Sequence, residues 1–356
     1  MKTVVTVTGI RPDFIRMKEI FRKLDESDSI THILVHTGQH YDKMLSDVFF
    51  DELEIRKPDY NLGCGAPGKE HFELADDITK AVIQLIREEN LDPDLILFLG
   101  DTNSVVCTVG LKKEGYKLGH IEAGMRSYDR RMLEEINRTV CDHCCDMHFV
   151  YHEDYKKQLL NEGIDTWGIW VVGNTIREVC DPIAEELRAQ GPSRRDHIIM
   201  DIHRPENFKD RKRLAQIMVY ANDYSHRYNV PVHMVSFGRT MRALSENHIC
   251  INRVRPVPLM SYKQFLEAQY HSLFVFSDSG TAQEEAPLLG TKVIVPRDYT
   301  ERPQSMNAGC SFMLGMDQRS FEESMAWLDQ DGPMGLEWLG DGKTAERIVR
   351  IIEEEA

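Results

Sequence analysis

Residues able to do chemistry gather at a few places in this chain, and most of those places come just after a short apolar run. His203–Arg204–Pro205–Glu206–Asn207 follows the run at residues 197–200 and offers an imidazole, whose unperturbed pKa of about 6.5 lets it share a proton with a phosphate or hydroxyl. Ser277–Asp278–Ser279–Gly280–Thr281–Ala282–Gln283–Glu284–Glu285 follows residues 273–276 and opens a helical pattern. Such a Ser/Gly turn presents backbone N–H groups and the positive end of a helix to an anion, although an ordinary N-cap looks the same in sequence. Glu285 favours the anion reading, because a carboxylate there can accept the paired hydroxyls of a ribose. Arg302, in Arg297–Asp298–Tyr299–Thr300–Glu301–Arg302–Pro303, can grip a phosphate through two parallel bonds. Arg11, Asp101 and Glu122 each stand just past an apolar run in the first half. Glu134 and Arg138 sit at i and i+4 of a helical segment, as a helix-stabilising ion pair or as an acid–base carboxylate beside a cation, and the residue types leave both open.

Two other groupings promise more than their context supports. Gly63–Cys64–Gly65–Ala66–Pro67–Gly68 matches the dinucleotide fingerprint, but the polar, Pro-broken Lys57–Pro58–Asp59–Tyr60–Asn61–Leu62 stands where a buried strand is required. A loop is the better reading. Cys141, Cys144, Cys145, His143 and His148 lack a second ligand pair at metal-finger spacing, so we read a helix burying small thiols and expect no metal.

The elements that must position these residues alternate. Apolar runs at 3–9, 32–38 and 95–100 precede helical patterns ending near 24, at 41–51 and at 104–114, and the second half repeats the scheme with runs at 197–200, 230–237, 273–276 and 292–295. The runs are apolar on both faces, which predicts parallel sheets covered by helices on each side. We therefore expect an α/β protein of two Rossmann-like, doubly wound domains facing across a cleft, residues 1–174 and 175–340. The polar stretch 189–195 is a candidate linker. A terminal amphipathic helix over 341–356 carries Ile348, Ile351 and Ile352 on one face, which could pack on either domain, the first being one place for it. Ligands of open α/β sheets bind beyond the carboxyl ends of the strands, where Arg11, Asp101, Glu122 and His203 fall.

Composition limits the partners. The 356 residues carry 43 Lys+Arg against 58 Asp+Glu, a formal charge of -15. That field disfavours nucleic acid and anionic membranes, so an anionic ligand must meet a locally positive pocket. With no run near the roughly 20 apolar residues of a bilayer span, no secretory pattern, and eight irregularly spaced cysteines, the chain reads as cytosolic.

At this point the residues resemble a family, the non-hydrolysing UDP-N-acetylglucosamine 2-epimerases. The similar segments are Gly9–Ile10–Arg11–Pro12, His36–Thr37–Gly38–Gln39–His40, Gly100–Asp101–Thr102–Asn103, His120–Ile121–Glu122–Ala123–Gly124–Met125–Arg126, Glu134–Glu135–Ile136–Asn137–Arg138, and the His203, Ser279 and Arg302 motifs quoted above. They run in family order. The resemblance implies a GT-B-like fold, a UDP-sugar substrate in the interdomain cleft, a homodimer, and no cofactor. It assigns Arg11, His203, Ser279, Gly280, Glu285 and Arg302 to the nucleotide, and Asp101, Glu122 and Glu134, with His203 nearby, to acid–base steps. Arg16 and Arg138 complete the expected substrate-binding set. In this family UDP is eliminated to a 2-acetamidoglucal and re-added after carbon 2 is reprotonated on its opposite face.

The chain departs from the family pattern at Ile10, Asp13, Arg16, Leu133 and Thr281, and Phe237–Gly238 replaces a His–Pro pair. With Phe237 and Asp42 altered, the resemblance does not carry over activation by a second substrate molecule. Arg16 and Arg239–Thr240 point toward modified sugars, such as a UDP-6-deoxy-N-acetylhexosamine or a UDP-diacetamido-uronic acid. Other readings of the same site are a GT-B glycosyltransferase, a hydrolysing epimerase and a non-catalytic UDP-sugar sensor.

Overall fold

The computed structural model describes residues 1–39, 50 and 53–356 of the chain. The expected helix at 41–51, with His40 and Asp42, falls outside the described residues except for Phe50, whose ring meets Phe14 at 4.7 Å. Two compact units result, one of Met1–Val179 with Leu339–Ala356 and one of Cys180–Trp338.

The first unit holds seven parallel strands: β1 (Lys2–Thr8), β2 (Ile30–His36), β3 (Tyr60–Asn61), β4 (Leu95–Leu99), β5 (Leu118–Ile121), β6 (Met147–Val150) and β7 (Ile169–Val171). Their order is β3-β2-β1-β4-β5-β6-β7. β4 reads Leu-Ile-Leu-Phe-Leu and is buried throughout, as a central strand with helices on both faces must be. The helix His71–Glu88 turns Leu74, Ile78, Val82 and Leu85 inward at helical spacing. Each such burial contributes about 1.5–3 kcal/mol. Pro12 sits in the first turn of the helix Arg11–Asp25, where its missing N–H costs nothing.

The second unit repeats the plan with β8 (His197–Asp201), β9 (Val232–Val235), β10 (Val254–Val257), β11 (Ser272–Ser277), β12 (Val293–Val295) and β13 (Ser311–Met313), ordered β10-β9-β8-β11-β12-β13. Its core centres on Tyr220 and Tyr224 of the helix Arg211–Tyr228, whose rings pack on Phe321 at 4.6 and 4.8 Å. In each sheet the strand order reverses once, between β1 and β4 and between β8 and β11. These switch points are where a doubly wound sheet opens a crevice.

The chain passes between units inside the helix Ile176–Gln190, not in the polar stretch at 189–195. That stretch is tied into the second unit, where Ser193 Oγ donates to the Tyr270 carbonyl at 2.5 Å. The terminal helix Thr344–Glu355 lies on the first unit, with Ile348 and Ile352 fully buried and Lys2 Nζ donating to the Glu353 carbonyl at 2.8 Å. Among the described residues no helix is long and apolar enough to cross a membrane.

Candidate active site

The first unit brings its candidates to the β1/β4 switch point. Gly100 follows β4 with φ +77°, and a Cβ placed there would lie 3.6 Å from Glu122 Oε2, 3.7 Å from Arg16 Nη2 and 3.9 Å from Asp13 Oδ1. Three charged side chains, two from the helix Arg11–Asp25 and one from the loop after β5, thus converge on one glycine. Glu122 follows β5 in the left-handed region at φ +73°, held by its N–H to the Phe149 carbonyl at 3.1 Å. A non-glycine residue held there costs about 1–3 kcal/mol, a strain that gathers at functional sites. Its buried carboxylate accepts Arg16 Nη1.

Asp13 accepts the N–H groups of Gly9 and Ile10 on Oδ2, each at 3.3 Å, while its buried Oδ1 has no hydrogen-bond partner. Burial pushes this carboxyl up to about 7 despite the pull of Arg16, and Asp101 adds to the rise. Arg11 is half-buried at the helix start.

Asp101 pairs with Arg138, and Asn137 Nδ2 donates to the Asp101 carbonyl at 2.9 Å. Both partners come from the helix Leu133–Cys144, which also carries Glu134, half-buried in its first turn. Arg138 Nη1 reaches Glu135 at 3.0 Å. Glu135 is fully engaged in shaping the loop before its helix, accepting from Ser127 N at 2.9 Å, Ser127 Oγ at 3.0 Å and Tyr128 N at 2.8 Å.

Beneath this cluster, His120 Nε2 bonds the Gly100 carbonyl at 2.7 Å and Nδ1 faces Asp142 Oδ1 at 2.6 Å, all out of solvent. Asp142 also meets Arg126 at 2.7 Å. Burial works against its charge, but the neighbouring His120 and Arg126 hold the carboxyl well below the usual range. Packed thiols are what the sequence leads one to expect of this stretch. Cys141 and Cys145 do lie there, their sulfurs 3.8 Å apart, but Asp142 between them props the end of β4.

The second unit gathers the others at the β8/β11 switch point. His203 Nδ1 meets Asp201 Oδ1 at 2.7 Å, and the Phe237 ring lies 5.2 Å from the imidazole. Asp278 accepts the N–H groups of His203 and Arg204 at 3.0 Å each and Asn207 Nδ2 at 2.8 Å. Donor atoms of Asp201, His203 and Asp278 lie within 4.8 Å of one another. Because both Asp278 oxygens are filled by N–H donors, the trio is better built to orient an imidazole than to hold a cation.

Ser279 and Gly280 form the turn into the seven-residue helix Ala282–Leu288, and the N–H groups of Gly280 and Thr281 have no acceptor among the described residues. Arg302 is buried against Glu284, Nε to Oε1 2.8 Å, and lies over Gly280 so closely that a Cβ there would sit 2.5 Å from Nη1. Glu285 is buried one residue on, accepting Tyr262 Oη at 3.1 Å and Gln269 Nε2 at 3.4 Å. Sequence reasoning passed over Asp142 and Asp201, and gave no role to Asp13 or Asp278. Asp201 and Asp278 carry the same signal as the other candidates, each standing at the end of an apolar run.

Comparison with known proteins bears on both clusters. The family model described as UDP-N-acetylglucosamine 2-epimerase matches residues 22–353. A UDP-N-acetylglucosamine 2-epimerase of Methanococcus maripaludis is 30% identical over 378 residues, covering 99% of this chain and 98% of its own. The structure of the Methanocaldococcus jannaschii UDP-GlcNAc 2-epimerase in complex with UDP-GlcNAc and UDP aligns at a TM-score of 0.89 with 31% identity, over 99% of this chain and all of that one. The Neisseria meningitidis UDP-GlcNAc 2-epimerase bound to UDP-GlcNAc aligns at 0.88 with 26% identity, over 99% of this chain and 100% of that chain.

Proposed function

The chain belongs to the UDP-N-acetylglucosamine 2-epimerase family, and from that premise we propose that it converts UDP-N-acetylglucosamine to UDP-N-acetylmannosamine without hydrolysis, by eliminating and re-adding UDP. The observation that carries this is the family match over residues 22–353, which takes in Asp101, Glu122, Glu134 and Arg138 of the first cluster and the whole of the second.

The proton on carbon 2 is not next to a carbonyl, so it becomes removable only as the anomeric C–O bond breaks and oxocarbenium character develops. In this reading the electron pair of that bond leaves on a β-phosphate oxygen, and a carboxylate of the set Asp101, Glu122 and Glu134 takes the proton. The product pair is a 2-acetamidoglucal and UDP. Returning a proton to the other face of carbon 2, with UDP oxygen re-adding at carbon 1, completes the inversion. Nothing is oxidised or reduced overall, so the chemistry asks for no redox cofactor.

Arg16 and Arg138 suit this role because each is buried against a carboxylate that must work at neutral pH, fixing its orientation and compensating its charge. The N–H groups of Gly280 and Thr281, with Arg302 and His203, suit a diphosphate whose charge grows as the bond breaks. Arg11, Ser279 and Glu285 are assigned to the nucleotide, Glu285 to the ribose hydroxyls. A homodimer and a cytoplasmic location complete the reading.

Positional isotope exchange tests it. With UDP-N-acetylglucosamine labelled by heavy oxygen at the bridge between carbon 1 and the β-phosphate, the label should scramble into the non-bridging positions. Epimerisation with the label fixed at the bridge would refute C–O cleavage, and release of free N-acetylmannosamine would make the enzyme a hydrolase.

A further inference from the structure

We propose that Asp201 is a positioning residue for this reaction, fixing the His203 ring through Nδ1 so that an imidazolium Nε2–H is offered to the β-phosphate oxygen as it leaves carbon 1. The inference rests on the epimerase reading for its substrate, and on the geometry of the second unit for its substance.

Asp201 is the last residue of β8 and His203 stands two residues beyond it, so both side chains leave the strand end on the same side. Asp201 is buried, at 4% exposure, and its Oδ1 lies 2.7 Å from His203 Nδ1. A carboxylate accepts only, so Nδ1 carries a proton in this pair. The neighbouring strand closes the arrangement: Ser277 of β11 pairs with Asp201 in register, and Asp278 after it bonds the His203 backbone and places Oδ1 3.4 Å from Nδ1. The Phe237 ring stands against the imidazole at 5.2 Å. The ring remains 34% exposed, and Nε2 has no partner among the described residues, so it is the atom left to meet a ligand.

Charge follows from the same contacts. The groups facing the imidazole are the carboxylates of Asp201 and Asp278 and the guanidinium of Arg204. Burial disfavours the cation and Arg204 opposes it, yet the two carboxylates prevail and the His203 pKa is raised above its ordinary value. The cation persists toward neutral pH.

In the elimination step His203 keeps its proton. The C1–O bond breaks, its electron pair goes to the phosphate oxygen, Nε2–H strengthens its bond to that oxygen, and the carbon 2 proton passes to a carboxylate of the first unit. On re-addition the bond to Nε2–H weakens again. A neutral His203 would supply a weaker hydrogen bond and no charge to the departing diphosphate.

The test is Asp201→Asn, which keeps an oxygen acceptor for Nδ1–H and removes only the charge, with Asp201→Glu as the conservative control. Thermal melts establish that each variant folds. The His203 ring-proton titration should move to lower pH in Asp201→Asn and stay near the wild-type position in Asp201→Glu. The turnover number should fall about tenfold or more near pH 8, less near pH 6, while KM changes little, the scale expected for one charge-assisted donor. An unmoved titration or a superimposable pH profile in Asp201→Asn would overturn the proposal. Were the wild type inactive on UDP-N-acetylglucosamine, the epimerase reading would fail separately. The ring titration, and its response to added UDP, would still decide whether Asp201 holds His203 charged toward a diphosphate.

Discussion

The Arg16 guanidinium donates to the Glu122 carboxylate across 106 residues of sequence, and both side chains are buried, at 7% and 5% exposure. The pair joins the first helix of the unit to the loop after β5, beside Gly100. Arg16 brings a counter-charge to the buried Glu122 carboxylate.

Removing one partner takes this counter-charge away from the other, in a buried place. Arg16→Met should therefore destabilise the protein by about 3–5 kcal/mol. Arg16→Lys should cost less, since it keeps the charge and loses the planar fork. Urea unfolding followed by circular dichroism measures both, and equal losses would mean that shape and not charge dominates at this site.

Glu122→Gln keeps a polar partner for Arg16 but removes the carboxylate. Turnover should drop by about 10²-fold or more, the usual scale for an acid–base group. UDP affinity, read by calorimetry, should stay near wild type. Near-normal turnover would take Glu122 out of the chemistry.

Gly280→Ala puts a methyl 2.5 Å from Arg302 Nη1, so the guanidinium must move. UDP binding should weaken by about tenfold, on the scale of one charge-assisted hydrogen bond. Arg302→Ala should weaken it further and also lower stability, because Glu284 is then buried without its cation. Unchanged UDP affinity in both variants would make this turn structural only.

Two buried carboxyls have opposite linkage to pH. Asp13 has its pKa raised from 3.8 to about 7 in the fold, so its contribution to stability is present in acid and is lost as pH rises toward 7. Asp13→Asn should gain on wild type over that interval. Asp142 is held below the usual carboxylate range, so its contribution is present above about pH 4 and is lost on further acidification. Asp142→Asn should unfold more easily at neutral pH and lose its disadvantage in acid. Stability curves of the two variants against pH check both signs.

The apolar runs were readable because a strand buried on both faces has no polar alternation, as in Leu95–Leu99. Most candidate residues were readable for the same reason, since they stand where those runs stop. What could not be read was which side chains meet. Helical spacing sets Glu134 beside Arg138, but Arg138 also reaches across to Asp101, a contact fixed by how the helix Leu133–Cys144 lies against the end of β4. Asp142, on the helix Leu133–Cys144, was hidden among cysteines because its partner His120 comes from β5. The break between units fell inside a continuous helix, where composition carries no mark.

The central claim is that the bond from carbon 2 to hydrogen is broken and remade on the opposite face while UDP is retained. Proton NMR of the protein with UDP-N-acetylglucosamine in deuterated water follows that bond directly. The expected result is loss of the carbon 2 proton signal, appearance of the manno epimer carrying deuterium at carbon 2, and UDP still attached in both epimers. A manno epimer that keeps its original proton at carbon 2, or UDP bound with no exchange at all, would contradict the mechanism.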